Sequence, residues 1–110
     1  MKLLTCYLAP ARLEAVKRAL WDSGFRAFSV AEARGLGLRR GRAERDEEYV
    51  SAFVPRVRLE VACRDEDLEA LIAAVVGQAR TGRVGDGKIL VTELADAVRV
   101  RTGERGEAAL

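Results

Sequence analysis

The groups best suited to chemistry lie in one stretch, Thr81-Gly82-Arg83-Val84-Gly85-Asp86-Gly87-Lys88. Glycine takes φ > 0 easily and lets a ligand approach the backbone with no Cβ in the way. Successive N–H groups in such a turn form a nest for an anion. Arg83 and Lys88 add two cations, so the chemistry indicated is the holding of a polyphosphate. The stretch has a plain structural reading too: Gly82 ends a helix and Asp86-Gly87 turns the chain. Taken by itself it is read first as that turn. It is not a Walker A loop, because the spacing differs and Lys88 leads into a strand rather than a helix.

Other chemistries are thinly represented. There is no His, which removes the commonest general base and metal ligand. Cys6 and Cys63 each sit in an apolar, strand-like run, and small buried thiols are expected there ahead of a disulfide or a metal pair. Val98-Arg99-Val100-Arg101 carries two arginines at alternate positions. Read alone they are solvated edge charges; read with the glycine loop they are phosphate contacts. The net charge is only +2, from 19 basic and 17 acidic side chains. With no basic block beyond Arg39-Arg40-Gly41-Arg42, that balance gives no nucleic-acid or membrane footprint. The apolar N-terminal run is too short for a signal peptide or a membrane helix, so a cytoplasmic protein is expected.

The elements that must position these groups follow from periodicity. The 110 residues make a single domain, 1–110, with a core small enough that oligomerisation would help to stabilise it. Residues 2–8 read as a buried strand. Leu13, Val16, Leu20 and Trp21 recur at helical spacing over 11–23, with Gly24 as the stop and Trp21 expected in core or interface packing. A second strand is expected within 25–36. Residues 37–54 are crowded with charge, and a connection this long in so small a domain is read as functional. After Pro55, charged and apolar residues alternate to Cys63 as in a half-buried strand. Asp65 is expected to cap a helix over 66–80, whose buried stripe is Leu68, Leu71, Ile72, Val75, Val76 and Ala79. A strand at 88–93, a short closing strand at 98–101 with both arginines on one face, and a polar tail from Thr102 complete the chain. Strand, helix, strand, strand, helix, strand is the order of an α+β, ferredoxin-like βαββαβ sandwich. It has an antiparallel four-stranded sheet with both helices on one face. The other face needs cover, and further copies of the chain are the obvious source.

Along almost its whole length the chain resembles the nitrogen-regulatory P-II signal-transduction family. Ala79-Arg80-Thr81-Gly82-Arg83-Val84-Gly85-Asp86-Gly87-Lys88-Ile89 is similar to the family's C-terminal signature. Val98 to Gly106 resembles the segment beyond it, and Phe53 to Glu60 the strand that follows the family's T-loop. Gly35-Leu36-Gly37 and Glu48-Tyr49 fit as well. The resemblance implies a homotrimer with an ATP or ADP cleft between neighbouring subunits. Gly85, Asp86, Gly87 and Lys88 would sit at the phosphates, and Arg99 and Arg101 would reach them from across the interface. Gly35, Gly37 and Leu38 would line the cleft beside the base of the T-loop, here 37–54. Ser29, Glu60 and Ala62 would meet the adenosine.

Three departures matter. The loop is about two residues shorter than a typical T-loop, judged from its flanks. Leu38 and Arg39 stand where the family has Arg and then Gln, the Gln helping to bind the Mg²⁺ through which 2-oxoglutarate is held. Arg is a fixed cation with no acceptor and cannot ligate a metal. Arg39 would instead pair with a phosphate or carboxylate. Arg56 replaces a Lys that resembles a 2-oxoglutarate contact, so the second-effector response is expected to be altered or lost. Tyr49 matches a tyrosine that some members have nucleotidylated, but packing at the loop's return is preferred, and Ser51 has weaker support as a modification site.

The expected function is therefore regulation: nucleotide binding biases the loop, and the loop binds a transporter, an ammonium channel or a metabolic enzyme. Two other classes fit less well. A small ferredoxin-like phosphatase or ATPase would lack His and any nucleophile–base pair. An RNA-binding module would want exposed aromatics on its sheet, and the chain has only three Phe and two Tyr.

Overall fold

Alternation of buried with less buried positions in the two central strands organises the four-stranded sheet on which everything else rests. A computed structural model describes residues 1–36 and 53–110. The strands are β1 (Lys2–Leu8), β2 (Ser29–Gly35), β3 (Val54–Cys63) and β4 (Gly87–Glu93), with helices α1 (Leu13–Asp22) and α2 (Leu68–Ala79). All strand pairs are antiparallel in the order β2-β3-β1-β4, the ferredoxin-like arrangement.

Period-two alternation divides the sheet into two faces. Leu4, Cys6 and Leu8 of β1 and Val57, Leu59, Val61 and Cys63 of β3 are buried against the helices. Val16 and Leu20 of α1 and Leu71, Val75 and Ala79 of α2 meet them from above. At about 25 cal/mol per Å² of apolar surface, burying each of the Leu and Val side chains contributes about 1.5–3 kcal/mol. The register places Thr5, Tyr7, Ser29, Arg56, Arg58, Glu60, Ala62, Lys88 and Leu90 on the opposite, helix-free face.

Helix α1 ends as Gly24 predicts. Gly24 has φ 90° and its N–H donates to the Trp21 carbonyl, while Phe25 N–H donates to the Leu20 carbonyl. This is a Schellman stop, with Phe25 packed on the core beside Leu20. Arg12 Nε then donates to the Gln78 carbonyl at 2.6 Å, tying the start of α1 to an otherwise orphaned acceptor at the end of α2.

Four expectations are corrected. Asp65 caps nothing: it lies in a 3-10 turn before α2 and accepts from the Met1 amine at 2.9 Å, with Lys2 at 3.6 Å. That partner holds the Asp65 carboxyl below its usual range. Trp21 is 53% exposed and lies beneath the Arg26 guanidinium at 4.7 Å, which corrects the core half of its expected core or interface packing. Val76 is likewise exposed, because the α2 stripe is narrower than the apolar run. Residues 98–101 form no strand. Val98 bridges Arg105, and Gly103 N–H donates to the Arg99 carbonyl at 2.7 Å, so the segment is a hairpin closed through Gly103 at φ 74°. The tail beyond it makes a 3-10 turn over Gly106–Ala109. Among the described residues no helix is long and apolar enough to cross a membrane.

Candidate functional site

The register gathers the glycine loop and one end of the sheet. Leu8 pairs with both Gly87 and Val57, and Gly35 pairs with Val54. The ends of β1 and β2 and the starts of β3 and β4 therefore share one edge of the sheet. Gly87 has φ 110°, and a Cβ built there would overlap the Tyr7 carbonyl oxygen of the paired strand. Only glycine lets β4 begin so close to β1.

The loop between α2 and β4 is tied from inside by Asp86. Its carboxylate accepts from Thr81 N–H and Gly82 N–H, both at 2.8 Å, and from the Thr81 hydroxyl. The Thr81 hydroxyl oxygen in turn accepts from Arg83 N–H at 3.3 Å. These donors, the Thr81 hydroxyl foremost, hold the Asp86 carboxyl below its usual range. Gly82 and Gly85 take φ 83° and 102° to close the turn. Among the described residues, the N–H groups of Val84 and Gly85 donate to no protein acceptor.

Arg56 spans from β3 to this loop. A Cβ on Gly35 would stand 3.4 Å from Arg56 Cγ, and one on Gly85 would stand 3.3 Å from Arg56 Nη2. Arg56 Nη1 donates to the Pro55 carbonyl at 3.0 Å. The guanidinium thus lies against Gly85, while Lys88 projects, exposed, on the same helix-free face. Two open N–H groups with a planar guanidinium and an ammonium nearby form a donor set suited to phosphate oxygens.

Gly35, Arg56, Gly85, Asp86, Gly87 and Lys88 are thus brought together. Ser29, Glu60 and Ala62 are on the same face but toward the other end, with Ser29 opposite Glu60 and Ala62 opposite Leu3. Glu60 pairs with Arg58 at 3.0 Å. Arg99 and Arg101 follow the far end of β4, where Glu93 pairs with Lys2. Arg99 bonds Glu104 at 3.0 Å and the Leu110 carbonyl at 3.4 Å. The seven-residue strand β4, about 20 Å long, runs between the glycine loop and the segment that carries these arginines. Gly37, Leu38, Arg39, Tyr49 and Ser51 lie outside the described residues.

Both cysteines face the core, and burial pushes the Cys6 thiol up to about 11 and raises Cys63. Neither is an activated nucleophile. A surface hollow of about 860 Å³ lies on α1 beside Trp21 and Phe28, with Gln78 at the end of α2 on its rim. It mixes Glu14 and Asp22 with Lys17 and Arg18, and so presents no single sign of charge to a ligand. Neither the Thr81–Asp86 tie nor the reach of Arg56 is apparent from the local sequence pattern. A Thr and an Asp bracketing a Gly-rich turn were the available signal for the first; nothing local signals the second.

The family model described as nitrogen regulatory protein P-II matches residues 1–104. The chain is 43% identical to nitrogen regulatory protein P-II of Rhodobacter capsulatus and 45% identical to nitrogen regulatory protein GlnK of Escherichia coli K12, each over the whole of both chains. Those alignments run over 112 residues, two more than the 110 of this chain. A solved structure of Arabidopsis thaliana PII bound to citrate superposes with a TM-score of 0.82 at 34% identity, covering 98% of this chain and 87% of the other.

Proposed function

Because the chain belongs to the nitrogen regulatory protein P-II family, we propose that it works as a nucleotide-gated regulator. It binds ATP or ADP in clefts between the subunits of a homotrimer and controls a partner protein through residues 37–54. The observation that carries this reading is the division of the site. One end of the sheet holds the glycine loop with Arg56 and Lys88; Arg99, Arg101, Ser29, Glu60 and Ala62 lie toward the other. One chain cannot close both halves on a ligand, whereas a head-to-tail ring joins the loop end of each subunit to the arginine end of the next. The half-site fits a polyphosphate through the open N–H groups of Val84 and Gly85 and the cations beside them. The relatives are named as regulatory proteins, in keeping with a switch rather than a hydrolase.

Gly35 and Val54 form the stem of the 37–54 segment, and Arg56 links that stem to the glycine loop. Filling the cleft therefore changes which loop conformations are favoured, by as much as the nucleotide's affinity differs between them. A transporter, an ammonium channel or a metabolic enzyme would read the outcome. Arg39 in place of Gln weakens metal-bridged 2-oxoglutarate binding, and calorimetry with ATP and Mg²⁺ is expected to show little gain in 2-oxoglutarate affinity.

Subunit mixing tests the divided cleft. Lys88→Ala and Arg101→Ala homotrimers are each expected to lose most ATP binding. Co-refolded mixtures regain one intact cleft per mixed trimer, read as a restored fraction of sites by calorimetry. A wild-type chain that stays monomeric, or mixtures that regain nothing, would overturn the reading.

A further inference from the structure

The carboxylate in the middle of the glycine loop is the feature that a polyanion site leaves unexplained. A negative charge two residues before Lys88 ought to repel phosphate. In this fold it faces inward, accepting from Thr81 N–H, Gly82 N–H and the Thr81 hydroxyl. We propose that Asp86 is a positioning residue, paired with Thr81, that folds the loop so that the Val84 and Gly85 N–H groups point to the ligand. The inference rests on the nucleotide-binding reading above.

The donor inventory supports this division of labour. Thr81 and Gly82 spend their N–H groups on Asp86, and Arg83 spends its own on the Thr81 hydroxyl oxygen. Asp86 N–H donates back to the Arg83 carbonyl at 3.4 Å. Among the described residues, the loop donors left over are the N–H groups of Val84 and Gly85, and Arg56 Nη2 lies against Gly85. The tie thus selects the face of the loop that is free to receive an anion, and its internal donors offset the charge of Asp86.

Asparagine can copy the tie. Its amide oxygen can accept from the Thr81 and Gly82 N–H groups while its NH₂ donates to the Thr81 hydroxyl oxygen. Asp86→Ala is therefore expected to weaken ATP–Mg²⁺ binding about tenfold or more, as loss of several bonds to a charged acceptor implies. Asp86→Asn stays within about threefold of wild type for the same reason. Thr81→Val falls with Asp86→Ala, and Thr81→Ser stays with wild type. Amide hydrogen exchange at Gly82 reports the tie without ligand: protected in wild type and Asp86→Asn, fast in Asp86→Ala. Asp86→Asn as poor as Asp86→Ala in binding, with Gly82 still protected, would show the carboxylate touching ligand or metal directly and overturn the assignment. So would Asp86→Ala binding as well as wild type, or a wild-type Gly82 amide that exchanges freely. A wild-type chain that binds no ATP while keeping the exchange pattern would sink the nucleotide reading and leave the Asp86–Thr81 tie standing.

Discussion

Two glycines a residue apart in the same loop have different duties. At Gly87 a side chain would meet the backbone carbonyl of Tyr7 in a paired strand, which cannot yield. Gly87→Ala is expected to cost about 2–4 kcal/mol, from strain at φ 110° plus the clash. At Gly85 the neighbour is the end of the Arg56 side chain, which can swing aside. Gly85→Ala is expected to cost about 1–2 kcal/mol, mainly from its left-handed backbone. At the proposed nucleotide site its greater effect is expected on affinity, because the guanidinium is displaced from the loop. Thermal denaturation beside calorimetry separates the two; a Gly87→Ala protein that melts with wild type would refute the clash.

At the scale of elements, two turns are held by carboxylates rather than by apolar packing. Asp86 holds the glycine loop. Asp96 holds the C-terminal hairpin, accepting from Arg105, from Ala97 N–H at 2.8 Å and from Gly106 N–H at 3.3 Å. Hydrogen bonds, from Thr81 and from Arg105 respectively, depress both carboxyls below their ordinary range. A depressed folded-state value means that the stabilisation is present above the unfolded value of about 3.9 and is lost as pH falls through the folded value. Both turns are therefore expected to loosen below about pH 4, while β1 and β3 hold. Amide exchange at Gly82, Ala97 and Gly106 reads this, with Leu4 and Leu59 as internal references. Asp96→Asn removes the hairpin's response and leaves that of the glycine loop.

For the whole molecule, the unequal faces of the sheet decide the behaviour. One face is sealed by both helices. The other offers Leu90, 48% exposed, between Tyr7, Thr5 and a row of charges. If the subunits meet there in the proposed trimer, Leu90→Asp is expected to leave the far-ultraviolet spectrum unchanged, to shift sedimentation toward monomer, and to remove the proposed nucleotide binding in parallel. A trimer that tolerates the charge would mean that the subunits meet elsewhere.

The sequence by itself determined the elements wherever burial is one-sided. The apolar stripe of α1, the alternation of β3 and the stop at Gly24 could be read because helix and strand periods are local. It determined the glycine loop as well, since positive φ at Gly82, Gly85 and Gly87 is a property of residue type. Only the tertiary structure decided that Asp65 pairs with the Met1 amine, that Trp21 stays outside the core, and that residues 98–101 bend into a hairpin. It alone placed Arg56 against Gly85 and parted the arginines of 98–101 from the glycine loop. Those outcomes depend on contacts between residues distant in the chain, which strand pairing brings together and which local pattern does not encode.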